Sequence, residues 1–342
     1  MKKILVLIAM VFAFASCEKL LMPKPPINSP KIVFEELWKA VDEGYIYFKQ
    51  KGLNWDSVHA EFKPKFFDTM TDRQLYDTCK LLLSILKDPN IQLEAGFARY
   101  QYTDTTTYPK NFNYDLLVKN YWGNYEVTGP FIHTIIDSIG YVYYGSMEGQ
   151  VKDEHLKILV ERFKFEHDSL RGMVFDIRNN KGGGDMSNLF TFAERLGVDT
   201  SFKVTAILFK TLYKNGPEKD DITDPKAIYY EQGDKSKFLR KFILLTNRDT
   251  RGNAALLTSA AAGFSNVKIY GDFTGGGVSR IVGHELPNGW QVRFPASMFL
   301  TDDDKNIENG LEPNEKIDMK ASDEAIGHDT ILDEAIKEIM KI

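Results

Sequence analysis

Two glycine-rich segments are the clearest candidates for chemistry in the sequence. Residues 180–185 follow an apolar run and precede a helical pattern, so their backbone N–H groups are placed to bind an anion or an oxyanion. The segment lacks the Lys-Ser/Thr pair of a P-loop and the G-x-G-x-x-G spacing of a dinucleotide-binding turn. Residues 274–277, T-G-G-G, have neither pattern. Neither segment therefore predicts a nucleotide site.

Two other segments imitate metal sites, and each lacks a required residue. Residues 284–288 read H-E-L-P-N, so that Asn288 replaces the second ligand of a zinc H-E-x-x-H motif. Pro287 would also break the helix that must present both ligands. Residues 302–304 are three aspartates, but Ile307 stands where a calcium loop needs its glycine. We therefore predict no metal ion and no cofactor.

The composition indicates an ordinary folded protein. The chain has 342 residues, of which 43% are hydrophobic, and its length allows two domains or one large domain with a small appendage. There are 48 Asp and Glu against 43 Lys and Arg, and the formal net charge is -5. This balance offers no positive surface for a phosphate backbone, so we expect no nucleic-acid partner.

The first 17 residues have the pattern of an export signal. Lys2 and Lys3 precede an apolar run over residues 4–15, which is too short to span a bilayer as a helix. The following Ser16-Cys17 step resembles the lipobox of bacterial lipoproteins, which implies a lipid-modified Cys17. The chain would then be exported and anchored to the envelope membrane, on its periplasmic or cell-surface side. A plain secretory signal is the alternative.

Residues 18–31 contain four prolines and are typical of a stiff tether. Apolar residues then recur at helical spacing over residues 32–48, 55–67 and 71–86, which predicts a small bundle of three helices. We place this bundle at residues 32–90. The only cysteine beyond the signal is Cys79, so no internal disulfide is expected.

Strand and helix patterns alternate from residue 91 to the end of the chain. The strands are predicted at residues 139–144, 172–177, 203–209, 241–246 and 267–270, and the helices at residues 155–165, 188–196, 252–263 and 329–342. A Pro-Asn-Gly turn at residues 287–289 predicts a hairpin. The alternation indicates an α/β core with a mostly parallel sheet over residues 91–342.

A series of short motifs, in fixed order, resembles the C-terminal processing (tail-specific) serine peptidases, in the branch of the tricorn core and the retinoid-binding repeats of photoreceptors. They are F-x-x-x-W at 34–38, Y-x-Y-F at 45–48, G-x-x-W at 52–55, L-K-D at 86–88, D-I-R-N-N-K-G-G at 176–183, L-T-N-R at 245–248, G-D-x-T-G-G-G at 271–277, E-L-P-N-G-W at 285–290 and E-N-G-L-E-P-N at 308–314. The resemblance implies N-terminal helices beside an α/β spiral-type core of the ClpP/crotonase kind, and hydrolysis of peptide bonds. Many members carry a PDZ domain between these parts; here residues 91–130 are too few for one.

The resemblance also implies where the catalytic residues should stand. The family's serine follows the L-T-N-R strand in a Thr-aromatic-Ser-Ala step, and this chain has Gly252 at that position. The family's histidine closes an L-x-D-G-H step, and this chain has Asn90 there. Glu308 matches the acidic partner. The oxyanion hole would consist of the N–H of Gly182 or Gly183 together with that of Asn253.

Glycine has no nucleophilic atom, and a side-chain amide does not exchange protons near neutral pH. We therefore predict an inactive peptidase homologue whose cleft accepts an extended peptide or a protein C-terminus by strand addition. One alternative is an active serine-type peptidase with a displaced nucleophile, Thr250 or Ser259, for which His284 would be the substitute base. The other is a scaffold in an envelope complex.

Overall fold

The computed structural model describes residues 28–103, 105–163, 170–196, 205–231, 235 and 237–341. The predicted signal with Cys17 and most of the predicted tether lie outside these ranges, as does His167. Within these ranges, no helix combines the length and the hydropathy needed to cross a bilayer.

Helices and strands are interspersed along the sequence. The helices are α1 (Pro30–Gly44), α2 (Trp55–Phe62), α3 (Asp72–Ser84), α4 (Tyr114–Leu117), α5 (Asp153–Glu161), α6 (Ser187–Leu196), α7 (Asn253–Ala262), α8 (Ala321–Ala325) and α9 (Thr330–Met340). The strands are β1 (Gln92–Ala95), β2 (Ala98–Gln101), β3 (Glu126–Thr128), β4 (Phe131–Ile136), β5 (Ile139–Tyr143), β6 (Gly172–Asp176), β7 (Thr205–Tyr213), β8 (Lys226–Glu231), β9 (Lys241–Thr246), β10 (Val267–Gly271), β11 (Ile281–Glu285), β12 (Gln291–Pro295), β13 (Ser297–Leu300) and β14 (Glu315–Lys316).

The central sheet has seven strands in the order β14-β10-β9-β6-β5-β4-β3. The pairs from β14 to β5 are parallel, and β4 and β3 continue the sheet antiparallel. A four-stranded antiparallel sheet, β11-β12-β1-β2, and a three-stranded one, β13-β7-β8, lie beside it. The α/β architecture with N-terminal helices confirms the predicted fold class.

The N-terminal helices begin where their capping residues predict. The Ser29 side chain accepts a hydrogen bond from the N–H of Ile32 at the start of α1, and Thr71 forms a capping box with Gln74 at the start of α3. The apolar faces of these helices share one core with Leu93 of β1 and Val292 of β12. Strands from the second predicted segment therefore complete the core of the first.

Close packing joins α1 to this sheet. Gly44 at the end of α1 lies against the ring of Phe294 on β12, and a Cβ built on Gly44 would lie 2.3 Å from that ring. Only a glycine permits this approach, because real Cβ atoms are not found so close to other atoms. The end of α1 is thus packed against β12.

A buried ion pair fixes the end of β6, where the first glycine-rich segment begins. Arg178 is fully buried, and its guanidinium donates to Asp176 at 2.6 Å and contacts Asp329 at 2.9 Å. Asp329 also caps α9 by accepting from the N–H groups of Ile331 and Leu332. Removing one partner of a buried pair leaves an uncompensated charge, which typically costs about 3–5 kcal/mol. The network therefore positions residues 179–184 firmly.

Candidate functional site

Gly252 lies at the turn between β9 and α7, as the N-cap of that helix, with φ 54° and ψ −129°. This is a backbone conformation that side chains rarely adopt, and sharp strand-to-helix turns of this kind present the nucleophile in hydrolases. A Cβ built on Gly252 would lie 3.7 Å from the carbonyl oxygen of Lys181, 3.8 Å from Cα of Gly182 and 3.9 Å from the carbonyl oxygen of Gly277. The hollow above Gly252 therefore has room for a small side chain.

Thr250 holds this turn in place. Its hydroxyl donates to the carbonyl oxygen of Ile177 at 3.1 Å and accepts from the N–H of Asn247 at 3.1 Å. The residue is fully buried. Its hydroxyl is committed to backbone groups of the turn.

The first glycine-rich segment packs directly on the turn. A Cβ on Gly182 would lie 2.6 Å from the carbonyl oxygen of Arg251 and 2.9 Å from the nitrogen of Asn253, and the φ of Gly182 is +78°. The Asn253 side chain donates to the carbonyl oxygens of Gly183 at 2.8 Å and Gly184 at 3.1 Å. Glycine is required here for both space and backbone conformation.

The three candidate oxyanion donors differ in whether their N–H groups already have a hydrogen-bond acceptor in the folded chain. The N–H of Gly182 already donates to Oδ1 of Asn180 at 3.0 Å. The N–H groups of Gly183 and Asn253 have no acceptor among the described residues. Of the three predicted residues, these two therefore offer free donors to a bound carbonyl oxygen.

Asn90 and Glu308 are in direct contact. The Asn90 amide Nδ2 donates to Oε1 of Glu308 at 2.5 Å, although 218 positions separate the two residues. Oε2 of Glu308 accepts from the Ser279 hydroxyl at 2.6 Å and from the N–H groups of Ser279 and Val278 at 3.1 and 3.2 Å. The predicted acidic partner is thus fixed from several sides, and Asn90, the residue predicted at the base position, donates to one of its oxygens.

Sequence reasoning missed four further residues around this carboxylate as site residues. The Tyr47 hydroxyl lies 2.6 Å from Oγ of Ser279. Asp88 is buried and accepts from the Tyr45 hydroxyl at 2.7 Å and from the N–H of Asn90 at 2.9 Å. Both tyrosines and Asp88 belong to the motifs that carried the resemblance, but Ser279 had no signal in the sequence.

The environment of Glu308 favours its neutral form. Burial raises the pKa of Glu308 from its ordinary value of 4.5 to about 7, and the negative charge of Asp88 acts in the same direction. The hydrogen bond from Ser279 opposes this increase without cancelling it. The carboxyl group therefore titrates near neutral pH.

The described imidazoles have partners elsewhere or lie on the surface. The partners are Glu35 for His59, Thr128 for His133, the N–H of Lys152 for His155 and Asp333 for His328. His284 is on the exposed strand β11 and lines a groove against α1. None of these five rings is hydrogen-bonded to Asn90 or Glu308.

The segments that imitate metal sites are placed on surface elements. The H-E pair lies on β11 and the following Pro-Asn-Gly turn connects β11 to β12, which confirms the predicted hairpin. Asp303 forms an ion pair with Lys305, and Asp304 forms one with Lys210. Among the described residues, no group of three His, Cys, Asp or Glu side chains is arranged to hold a metal ion.

Comparison with known proteins agrees with this geometry. The sequence pattern of peptidase family S41 matches residues 138–317, and that of the tricorn protease C1 domain matches residues 28–83. The chain belongs to peptidase family S41. It is 32% identical to a peptidase-like protein of Parabacteroides merdae ATCC 43184, with 92% of this chain and 98% of that chain covered and a TM-score of 0.83. No curated protein sequence matches the chain.

More distant structures share the fold. Mature CPAF has a TM-score of 0.61 at 9% identity, with 91% of this chain and 96% of that chain covered. The photosystem II D1 C-terminal processing protease has a TM-score of 0.52 at 18% identity, with 85% and 94% covered. The resemblance to the C-terminal processing peptidases is therefore confirmed for family and fold.

The raised pKa of Glu308 predicts a specific pH dependence of stability. Because the folded state holds this proton more tightly than the unfolded state, the contribution of Glu308 is fully present below about pH 4.5 and is lost as the pH rises to about 7. A shift of this size corresponds to about 3 kcal/mol. The side chain of Glu308→Gln cannot titrate. Any hydrogen bonds that this substitution removes change the free energy of unfolding by the same amount at every pH. Urea unfolding from pH 4 to pH 8 should show the wild type losing stability relative to the variant; a constant difference would contradict the assignment.

Proposed function

We propose that this S41-family protein is a catalytically inactive peptidase homologue that binds an extended peptide in the family's cleft. The observation that carries the proposal is the hydrogen bond from the Asn90 amide to Oε1 of Glu308. In a Ser-His-acid triad the base is held by the acid in this way, so the arrangement supports the assignment of Asn90 to the base position. The side-chain amide of Asn90 does not accept and return protons near neutral pH.

The missing atoms account for most of the catalytic power of a serine peptidase. Gly252 has no oxygen to attack a carbonyl carbon, and the Asn90 amide neither accepts nor returns a proton near neutral pH. In serine peptidases, loss of the serine or the histidine alone costs on the order of a millionfold in turnover, about as much as loss of the triad. The remaining oxyanion donors would supply roughly a thousandfold over water.

The contacts of the two proposed substitute nucleophiles argue against the active alternative. The Thr250 hydroxyl is fully buried and bonded to backbone on both sides. Ser259 is on α7, about 10 Å beyond Gly252 at 1.5 Å per residue, and only 6% of its surface is exposed. Neither residue has an imidazole beside it among the described contacts.

Open space and free donors support peptide binding. A Cβ on Gly277 would meet no atom within 4 Å, and a Cβ on Gly252 would meet its nearest atoms at 3.7–3.9 Å, which is ordinary van der Waals contact. The N–H groups of Gly183 and Asn253 are available to a peptide carbonyl. Binding an extended chain depends on such main-chain pairing and does not require the nucleophile.

We further propose that the protein is exported and anchored in the envelope through a lipid on Cys17. The support is the pattern of residues 1–17, which ends in Ser16-Cys17 after a short apolar run. The described chain starts α1 at Pro30, so a proline-rich segment of about a dozen residues would separate the lipid from the folded body.

Restoring the two missing groups should revive hydrolysis. We expect Gly252→Ser with Asn90→His to cleave casein detectably, because Glu308 and the oxyanion donors are already in place. Each single variant should remain inactive, since the groups act as a unit. Gly252→Ala with Asn90→His is the matched control, as it adds a Cβ at the same strained φ without a hydroxyl. Equal activity of this control and the serine variant would contradict the assignment of Gly252.

The lipid proposal predicts a change of location for one variant. In a bacterial host that processes lipoproteins, the wild type should fractionate with membranes, and Cys17→Ser should not, because the acceptor thiol is gone. Immunoblots of membrane and soluble fractions measure this. Membrane association of Cys17→Ser equal to that of the wild type would contradict lipid anchoring.

A further inference from the structure

Ser279 presents a hydroxyl that the proposed peptide-binding role does not use. It follows the second glycine-rich segment, and its Oγ lies 2.6 Å from Oε2 of Glu308. The Tyr47 hydroxyl lies 2.6 Å from the same Oγ. The residue is only partly buried. A partly exposed serine is thus held between a carboxyl group and a phenol.

The hydrogen bonds of the Ser279 hydroxyl do not use all of its hydrogen-bonding capacity. A serine hydroxyl has one proton and two lone pairs. Donation to Glu308 uses the proton. The contact with Tyr47, whose hydroxyl also lies 3.3 Å from the carbonyl oxygen of Ser297 and 3.3 Å from Oε2 of Glu308, uses at most one lone pair. Burial beside Glu308 raises the pKa of Tyr47, so its phenol keeps its proton and remains a donor. One lone pair of Ser279 therefore remains free.

Glu308 is suited to take the Ser279 proton. Burial places the pKa of this carboxyl group at about 7, and a general base works best when its pKa lies near the operating pH. The contact distance of 2.6 Å is within the reach required for proton transfer. The pair has the relationship of nucleophile and base, without an imidazole.

Ser279 lies on the same segment as Gly277, which borders the hollow above Gly252. Gly277, two residues earlier, has its carbonyl oxygen 3.9 Å from a Cβ built on Gly252 and open space on its own Cα. The N–H of Gly277 donates to the carbonyl oxygen of Glu308 at 3.0 Å, which keeps these residues together. A ligand bound in the hollow therefore contacts the segment that carries the serine.

We propose that Ser279 accepts an acyl group from an activated ester bound in this hollow, with Glu308 as the base. The serine Oγ attacks the ester carbonyl carbon, and its proton passes to Glu308. The new bond joins Oγ to the carbonyl carbon, the bond to the leaving oxygen breaks with its electron pair, and Glu308 returns the proton to the leaving alcohol. The product is an acyl-serine and a free alcohol.

This activity goes beyond the proposed peptide binding and is compatible with it. A peptide bond resists the same attack, because an amine is a far poorer leaving group than the alcohol of an activated ester and departs only after protonation at nitrogen. An activated ester has a leaving group that needs little or no such help. The protein would therefore be acylated by esters while leaving peptides intact.

The test uses 4-nitrophenyl acetate and the purified chain without its signal. We expect release of about one equivalent of nitrophenolate and, in peptide mass mapping of the unaltered protein, an acetyl group on Ser279. The rate should rise with pH through about 7, as Glu308 ionises. Glu308→Gln should slow acetylation by about 100-fold, the usual effect of losing a general base.

Two serine variants complete the test. Ser279→Ala should abolish the site-specific acetylation, whereas Ser259→Ala, which removes a buried hydroxyl on α7, should leave it unchanged. Acetyl groups found only on lysines or on another serine would overturn the proposal, and so would a rate that ignores both pH and Glu308. Because mapping needs no variant, a poorly folded Ser279→Ala cannot obscure the answer. Such a negative result would leave the peptide-binding proposal untouched.

Discussion

The carboxyl group of Glu308 is the point at which the separate parts of this protein meet. It takes a hydrogen bond from Asn90, at the end of the N-terminal helical segment, and others from the glycine-rich turn at Val278 and Ser279. Asp88 and Tyr47 complete its surroundings. Burying a carboxyl group is costly unless it is neutral or well bonded. The cluster satisfies this requirement by using donors from both parts and by raising the pKa of Glu308.

Glycine geometry imposes the second constraint on the site. Gly182 and Gly252 adopt positive φ values and approach each other across the turn between β9 and α7. We propose that this turn is the one that presents the nucleophile in the family, at a position that has no side-chain atom in this chain. Strained turns are maintained when the surrounding structure determines them, and here Thr250 and Asn253 supply the fixing hydrogen bonds. In the proposed function this turn borders a cleft that binds a peptide and lacks the reactive atoms.

Much of the fold could be predicted from the sequence, for identifiable reasons. The capping residues Ser29 and Thr71 mark helix starts, and β9 coincides with its apolar run at residues 241–246. The strands β1 to β4, β8, β13 and β14 are not predicted by the sequence; most of them are short or half-exposed and therefore carry little periodicity. The partnership of Asn90 with Glu308 spans most of the chain, so only the tertiary structure shows the contact itself.

The same limit explains what was missed in the site. Ser279 is an ordinary serine in sequence and becomes notable only because Glu308 and Tyr47 converge on it. The N–H of Gly182 was a reasonable oxyanion donor in sequence, but the neighbouring Asn180 side chain already uses it. Hydrogen bonds between residues that meet only in the folded chain cannot be predicted from the spacing or the composition of the sequence.

The central claim is that the chain keeps the cleft of an S41 peptidase and binds peptides there without cleaving them. The most direct measurement is mass spectrometry of a defined peptide library after prolonged incubation with the wild-type protein, with protein-bound and free peptides separated by gel filtration. The account predicts that every peptide is recovered intact and that a subset is retained with the protein. Peptides cut at consistent positions by the wild type, with cleavage lost in Thr250→Val or Ser259→Ala, would contradict it.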